Sequence, residues 1–223
     1  MCEAAADIVL DQPHWGQSGA FGIFGLEQRL ACGAKLSKKR WSMDQLAGAA
    51  SDLLAPAQEN CIDPVDAAYA ILWAAALPAL RKDLDDVQWR AVLAELVELQ
   101  RNLSSEVDAA SPLRLMIGGE LGLTLSSLYV EFDRCSRLRD PSLAALRSWV
   151  QSSEASVSAA VASAADLRLI LASMSRCRSL AAAAGIKLGK RSRWQEVGES
   201  LATWVAALTT QGGRSGLSPA TKS

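Results

Sequence analysis

Histidine is almost missing from this sequence. His14 is the only one in 223 residues, and tyrosine and phenylalanine number two and three. With so little imidazole, a structural zinc site would need most of the cysteines at unusual spacing. The five cysteines, Cys2, Cys32, Cys61, Cys135 and Cys177, are odd in number, widely scattered and never paired as C-x-x-C. They read as buried thiols in a reducing compartment, so neither a metal nor a cofactor is expected. Phosphate-binding glycine loops, dinucleotide fingerprints and nucleophile elbows are also missing. So is an excess of charge of one sign: 23 basic residues meet 24 acidic ones for a formal net of -1. That balance supplies no global field to draw the chain onto nucleic acid or an anionic membrane. The N-terminal MCEAAADIVLDQ carries acids where a secretion signal carries lysine or arginine, and it lacks a long apolar run. A cytoplasmic location is the expectation.

What is present favours helix. Alanine, leucine and serine dominate, while the β-formers valine and isoleucine are modest, so an all-α chain with almost no strand is expected. The spacing predicts an irregular bundle of about seven or eight helices, possible as stacked helical hairpins, around two buried apolar helices at 63–80 and 112–131. Three regions divide the chain. Residues 1–41 are a loop-rich lead-in whose glycines and aromatics pack on the body, 42–211 form the helical domain, and 212–223 are a small polar tail or linker. His14 in the lead-in has Asp11 and Ser18 nearby, residue types of a nucleophilic triad, but closeness in sequence is not triad geometry.

Ser42 and Gln45 form a capping box ahead of a helix at 43–54. Asp63-Pro64 starts the first buried helix, which should end or kink near Pro78. A longer helix from Asp83 shows Trp89, Val92, Leu93, Leu96, Leu99 and Leu103 on one face. Ser111-Pro112 opens the central stretch, SPLRLMIGGELGLTLSSLYVE, which is apolar on nearly every side. An all-round apolar helix is buried or spans a membrane, and the internal Arg114 and Glu120 favour burial. Gly118, Gly122 and Ser126 recur every four residues and predict a stripe where a neighbour comes close. Glu120 is the buried polar candidate: a carboxylate there needs an arginine such as Arg168 or Arg176. A break at Gly118-Gly119 would instead set Glu120 at a functional kink.

Beyond it, EFDRCSRLRDP reads as a solvated connection, and Asp140-Pro141 as a third helix start. A serine- and alanine-rich helix at 152–165 and a firmer one from Leu167, closed by Gly185, follow. Ser192 and Gln195 make a second capping box ahead of a stripe of Trp194, Val197, Leu201, Trp204, Val205 and Leu208.

Two similar basic hooks stand out, each leading into one of these capped helices. One contains Lys38, Lys39, Arg40 and Trp41, the other Lys190, Arg191, Arg193 and Trp194. Cations at a helix N-terminus oppose its dipole unless an anion intervenes, so the hooks are candidate anion-binding residues. The plainer reading has solvated loop charges and tryptophans that staple helix ends.

No catalytic residue is assigned. The favoured function is a non-catalytic helical interaction or scaffold module that binds a partner protein or supports an adjoining domain of a larger chain. One alternative is a toroid-like enzyme of helical hairpins using His14, Tyr69, Tyr129, Glu120 and the arginines from 134 to 139. Others are anion or nucleic-acid binding through the hooks, and a small apolar ligand held along the Gly118–Ser126 stripe.

Overall fold

A computed structural model describes residues 62–81, 84–162, 167–188 and 191–208. The lead-in, the 43–54 helix, the first hook with Trp41, His14 and the tail lie outside the described residues. Among the described residues every regular element is helical. None of these helices is long and apolar enough to cross a membrane.

Helix α1, Pro64–Leu80, starts where sequence places it. The Asp63 carboxylate accepts from the Val65 and Asp66 backbone N–H at 2.8 and 2.9 Å, and Asp66 accepts from the Asp63 N–H in return at 3.1 Å. This reciprocal cap satisfies donors that the first turn leaves orphaned. The helix is then sealed, with every residue from Ala70 to Leu77 buried. It runs past Pro78 to Leu80 instead of ending there.

Proline has no N–H, so the carbonyl four residues back, Ala74 O, loses its helical donor. A buried carbonyl cannot turn to water, and the Tyr129 hydroxyl donates to it at 2.6 Å. One turn on, Leu77 O accepts the Trp89 indole N–H at 2.8 Å. Trp89 and Tyr129 meet edge to face with centroids 5.8 Å apart, and the Arg81 guanidinium lies 4.9 Å from the Trp89 ring centre. The aromatic cluster therefore repairs the backbone that Pro78 breaks.

Helix α2, Asp86–Glu106, is capped by Asp85, which accepts from the Gln88 N–H at 2.7 Å. It buries Trp89, Val92, Leu93, Leu96 and Leu99, with Leu103 half-buried at the edge.

The central stretch departs from the uniform α-helix expected over 112–131. Residues Arg114–Leu121 form a π-helix, which passes directly into α3, Gly122–Leu128. The helix stops at Leu128 because Tyr129 leaves helical geometry and commits its hydroxyl to α1; Val130 and Glu131 are exposed. The wider i→i+5 spacing also changes which glycines face a neighbour. Close approach occurs at Gly122, which belongs to the predicted stripe, and at Gly119, which does not. A Cβ on Gly119 would sit 2.2 Å from Leu146 Cδ2, and one on Gly122 only 1.9 Å from Ser142 Oγ. Ser142 and Leu146 are four residues apart on the next long helix, so they present one face to this groove. That face fills the space beside these two glycines.

The predicted solvated connection is partly buried. It holds a short helix, α4, Asp133–Ser136, whose Cys135 is in the core, followed by buried Leu138. Helix α5, Arg139–Gln151, begins before Asp140-Pro141, so that Asp140 lies in its first turn and is not its cap. The Ser142 N–H already bonds to Leu138 O at 3.0 Å, which Pro141 permits because a first-turn proline has no helical acceptor to lose.

After α5 come α6, Ser153–Ala162, and α7, Leu167–Ala183. Gly185 takes φ +67°, with Ile186 N–H bonded to Ala181 O at 2.8 Å and Gly185 N–H to Ala182 O at 3.1 Å. This left-handed cap needs glycine and ends α7 as the sequence predicts. The last helix, α8, Arg191–Ala207, contains Ser192 within it instead of starting after it. Trp194, Val197 and Leu201 are buried, but Trp204, expected on the same stripe, is 45% exposed.

The π-helix is the hub. It packs against α1, α2, α5 and α7, while α8 closes over α6 and α7. Among the described residues, the helices wrap one central element.

Two substitutions check this account. Tyr129→Phe leaves Ala74 O without a donor and should lower stability by about 1–3 kcal/mol in urea unfolding. Gly122→Ala should cost a similar amount, about 1–3 kcal/mol, because its methyl group displaces Ser142.

Candidate functional site

Glu120 and Arg176 meet at the centre of the protein, and both side chains are 0% exposed. The guanidinium Nε donates to Oε1 and Nη2 donates to Oε2 at 3.1 Å. This two-pronged geometry suits arginine, whose planar fork matches a carboxylate. It joins the π-helix to α7. Of the two arginines considered from sequence, Arg176 supplies the partner.

Cys177 lies beside the pair, fully buried. Burial pushes its thiol well above the usual range, and the nearby Glu120 charge adds to this while Arg176 opposes it. It is therefore a poor nucleophile. On the other side of the π-helix, Gln100, 1% exposed, donates to Gly118 O at 3.3 Å and reaches Ser142 Oγ at 3.4 Å. The Ser142 hydroxyl passes the chain on to Leu138 O at 2.7 Å. Where i→i+5 bonding gives way to i→i+4, one carbonyl is skipped, and a side-chain donor here meets that need.

Among the described residues, Tyr129 and the arginines from 134 to 139 do not join the Glu120–Arg176 pair. Tyr129 is buried and bound to α1, and burial, with Cys135 and Glu131 adding to it, raises its phenol well above the ordinary value. Cys135 is likewise pushed up to about 11 by burial and then by Glu131. Arg134, Arg137 and Arg139 are exposed. Arg134 lies 3.9 Å from Glu98, and Arg137 lies 3.7 Å from Asp133. Among the described residues there is no group of three or more His, Cys, Asp and Glu side chains placed to hold a metal ion.

The second basic hook is partly described. Trp194 is buried at 3% exposure, and its indole N–H donates to Leu188 O at 3.0 Å, which closes the loop onto the helix. Its ring is a staple in the core and not an open platform for a base. Arg193 is exposed, reaching Gln151 O at 3.5 Å and Glu196 at 4.0 Å. Lys190 and the side chain of Arg191 lie outside the described residues, as does the whole first hook.

Sequence reading missed a groove between α7 and α8. Near the Gly185 turn it is a cleft of about 580 Å³ lined by Ser179, Ala182, Ile186, Leu188 and Trp194. It continues as a cleft of about 440 Å³ past Leu171, Met174, Gln195, Gly198 and Ala202. Ser175 and Arg178 line both parts, so the two are continuous. The available signal was the second face of α7, Leu171, Ser175, Arg178, Ser179 and Ala182, which keeps helical spacing but is too small and polar to register as an apolar stripe.

No protein-family model, no curated protein and no solved structure matches the chain.

The buried pair makes a direct prediction. Arg176→Met strands Glu120 without compensation and should cost about 3–5 kcal/mol in chemical denaturation, whereas Glu120→Leu with Arg176→Met should recover most of that loss. A double mutant no more stable than Arg176→Met would show that the pair is not the source of the effect.

Proposed function

We propose that this protein is a non-catalytic helical interaction module that docks a partner protein along the α7/α8 groove. The observation that carries this reading is the groove, where an exposed, cation-bearing face of α7 stays uncovered by the described residues. From Leu171 to Ala182 that face is about 16 Å long at 1.5 Å per residue, which suits a segment of polypeptide better than a small molecule.

The chemistry inside points the same way. Glu120 is neutralised by Arg176 and sealed from solvent, so it has no route to a substrate proton. The phenol of Tyr129 is held in the core by its bond to α1, while the arginines between 134 and 139 are exposed. What the interior does offer is rigidity, because side-chain ties converge on the π-helix from α2, α5 and α7. A rigid helical frame beneath an open groove is suited to holding a docking surface in one shape.

Photo-cross-linking tests the proposal. A photoreactive amino acid at Ser179, in the groove, should give a discrete adduct of higher mass in cells that make the protein. The same group at exposed Glu95 on α2 should not. Equal labelling at both positions, or none at Ser179, would remove the groove as the docking surface.

A further inference from the structure

We propose that the partner segment is an acidic amphipathic helix, with one of its carboxylates pairing with Arg178. This rests on the docking reading above and names the chemistry of what docks.

Arg178 lies midway along the groove, exposed, and lines both of its parts. Among the described residues it has no carboxylate partner. The groove's own acid, Glu199, is already engaged, since its Oε1 accepts from Gln195 Nε2 at 2.8 Å. A partner that covers the groove must cover this guanidinium. An apolar or basic segment would bury it unpaired, which is strongly unfavourable, whereas an aspartate or glutamate meets it with a charge-assisted bond.

The walls specify a helix. Ser175, Ser179, Ala182, Gly198 and Ala202 are small, so a second helix backbone can approach closely. The Ser175 and Ser179 hydroxyls already donate to Leu171 O and Ser175 O, at 3.0 and 3.2 Å, and so demand no acceptor from the partner. Half-buried Leu171 at one end and half-buried Ile186 and Leu188 at the other give apolar contact on both sides of the cation. A helix laid in a groove reads such sites with residues three, four and seven apart. About three turns match the length available. Nucleic acid is a poor fit, because a single arginine among the described lining residues gives no track for successive phosphates.

The test is a selection on the full chain from displayed helices of about sixteen residues, long enough to hold helical form. The library carries Ala, Leu and Met on one face, with Asp, Lys or Gln varied at the flanking positions. Aspartate should be enriched on the wild-type protein, and Arg178→Glu should reverse the preference to lysine. Binding of an enriched acidic peptide should weaken at least about tenfold in Arg178→Glu, equivalent to about 1.4 kcal/mol. Circular dichroism confirms that this exposed substitution leaves the fold intact. Enrichment of lysine or glutamine helices on the wild type, or equal binding of acidic peptides to Arg178→Glu, would overturn the acidic partner. If such helices are nevertheless lost on Ser175→Trp, the docking groove itself still stands. Enrichment of no helix overturns both readings. Dimers in sedimentation that Arg178→Glu dissolves would put a second copy in the groove and overturn the separate partner.

Discussion

A carboxylate sealed from water at the middle of a helical bundle must meet a cation, and the pairing of Glu120 with Arg176 ties the fold together around that requirement. Glu120 is carried by the π-helix and Arg176 by α7, so the bond fixes the orientation of the hub against the helix that forms one wall of the groove. Such a pair adds little net stability over a well-packed apolar alternative, because desolvating both charges is expensive. Its effect is on uniqueness. Any arrangement that separates the two side chains leaves an unpaired charge in the core.

The same logic governs the backbone around the hub. Pro78 removes a donor from Ala74 O, and the change from π- to α-helical spacing near Gly118 disturbs another carbonyl. Tyr129, Trp89 and Gln100 each place a side-chain donor on a buried backbone carbonyl, from a different part of the chain. Each bond spans twelve residues or more in sequence, and each therefore also holds one helix against another. Close packing completes the hub where Gly119 and Gly122 admit Leu146 and Ser142. Interiors this dense have low compressibility, which makes the bundle a stiff support for α7 and α8.

Much of the fold was legible in particular residues. The Asp63 cap, the Pro64 start, the burial of Ala70 to Leu77 and the glycine stop at Gly185 all follow from local chemistry and appear as such. The need of Glu120 for an arginine was legible as well. The π-helix was not, since its sequence is equally consistent with an α-helix and the wider spacing depends on what packs around it. Nor was the close approach at Gly119, which lies off the predicted stripe. Trp204 failed for a related reason: an amphipathic pattern tells which face is apolar, not whether anything covers its far end. The groove was illegible because its lining is small, mixed and drawn from two helices.

By itself, the sequence determined that this chain is helical, where several of its helices begin and end, and that two of them are buried, because caps, prolines and apolar spacing act within a few residues. Only the tertiary structure decided which arginine answers Glu120, which carbonyls the aromatic side chains repair, and that α7 and α8 leave Arg178 in an open groove. Those outcomes depend on distances between segments far apart in the chain, which local sequence does not encode.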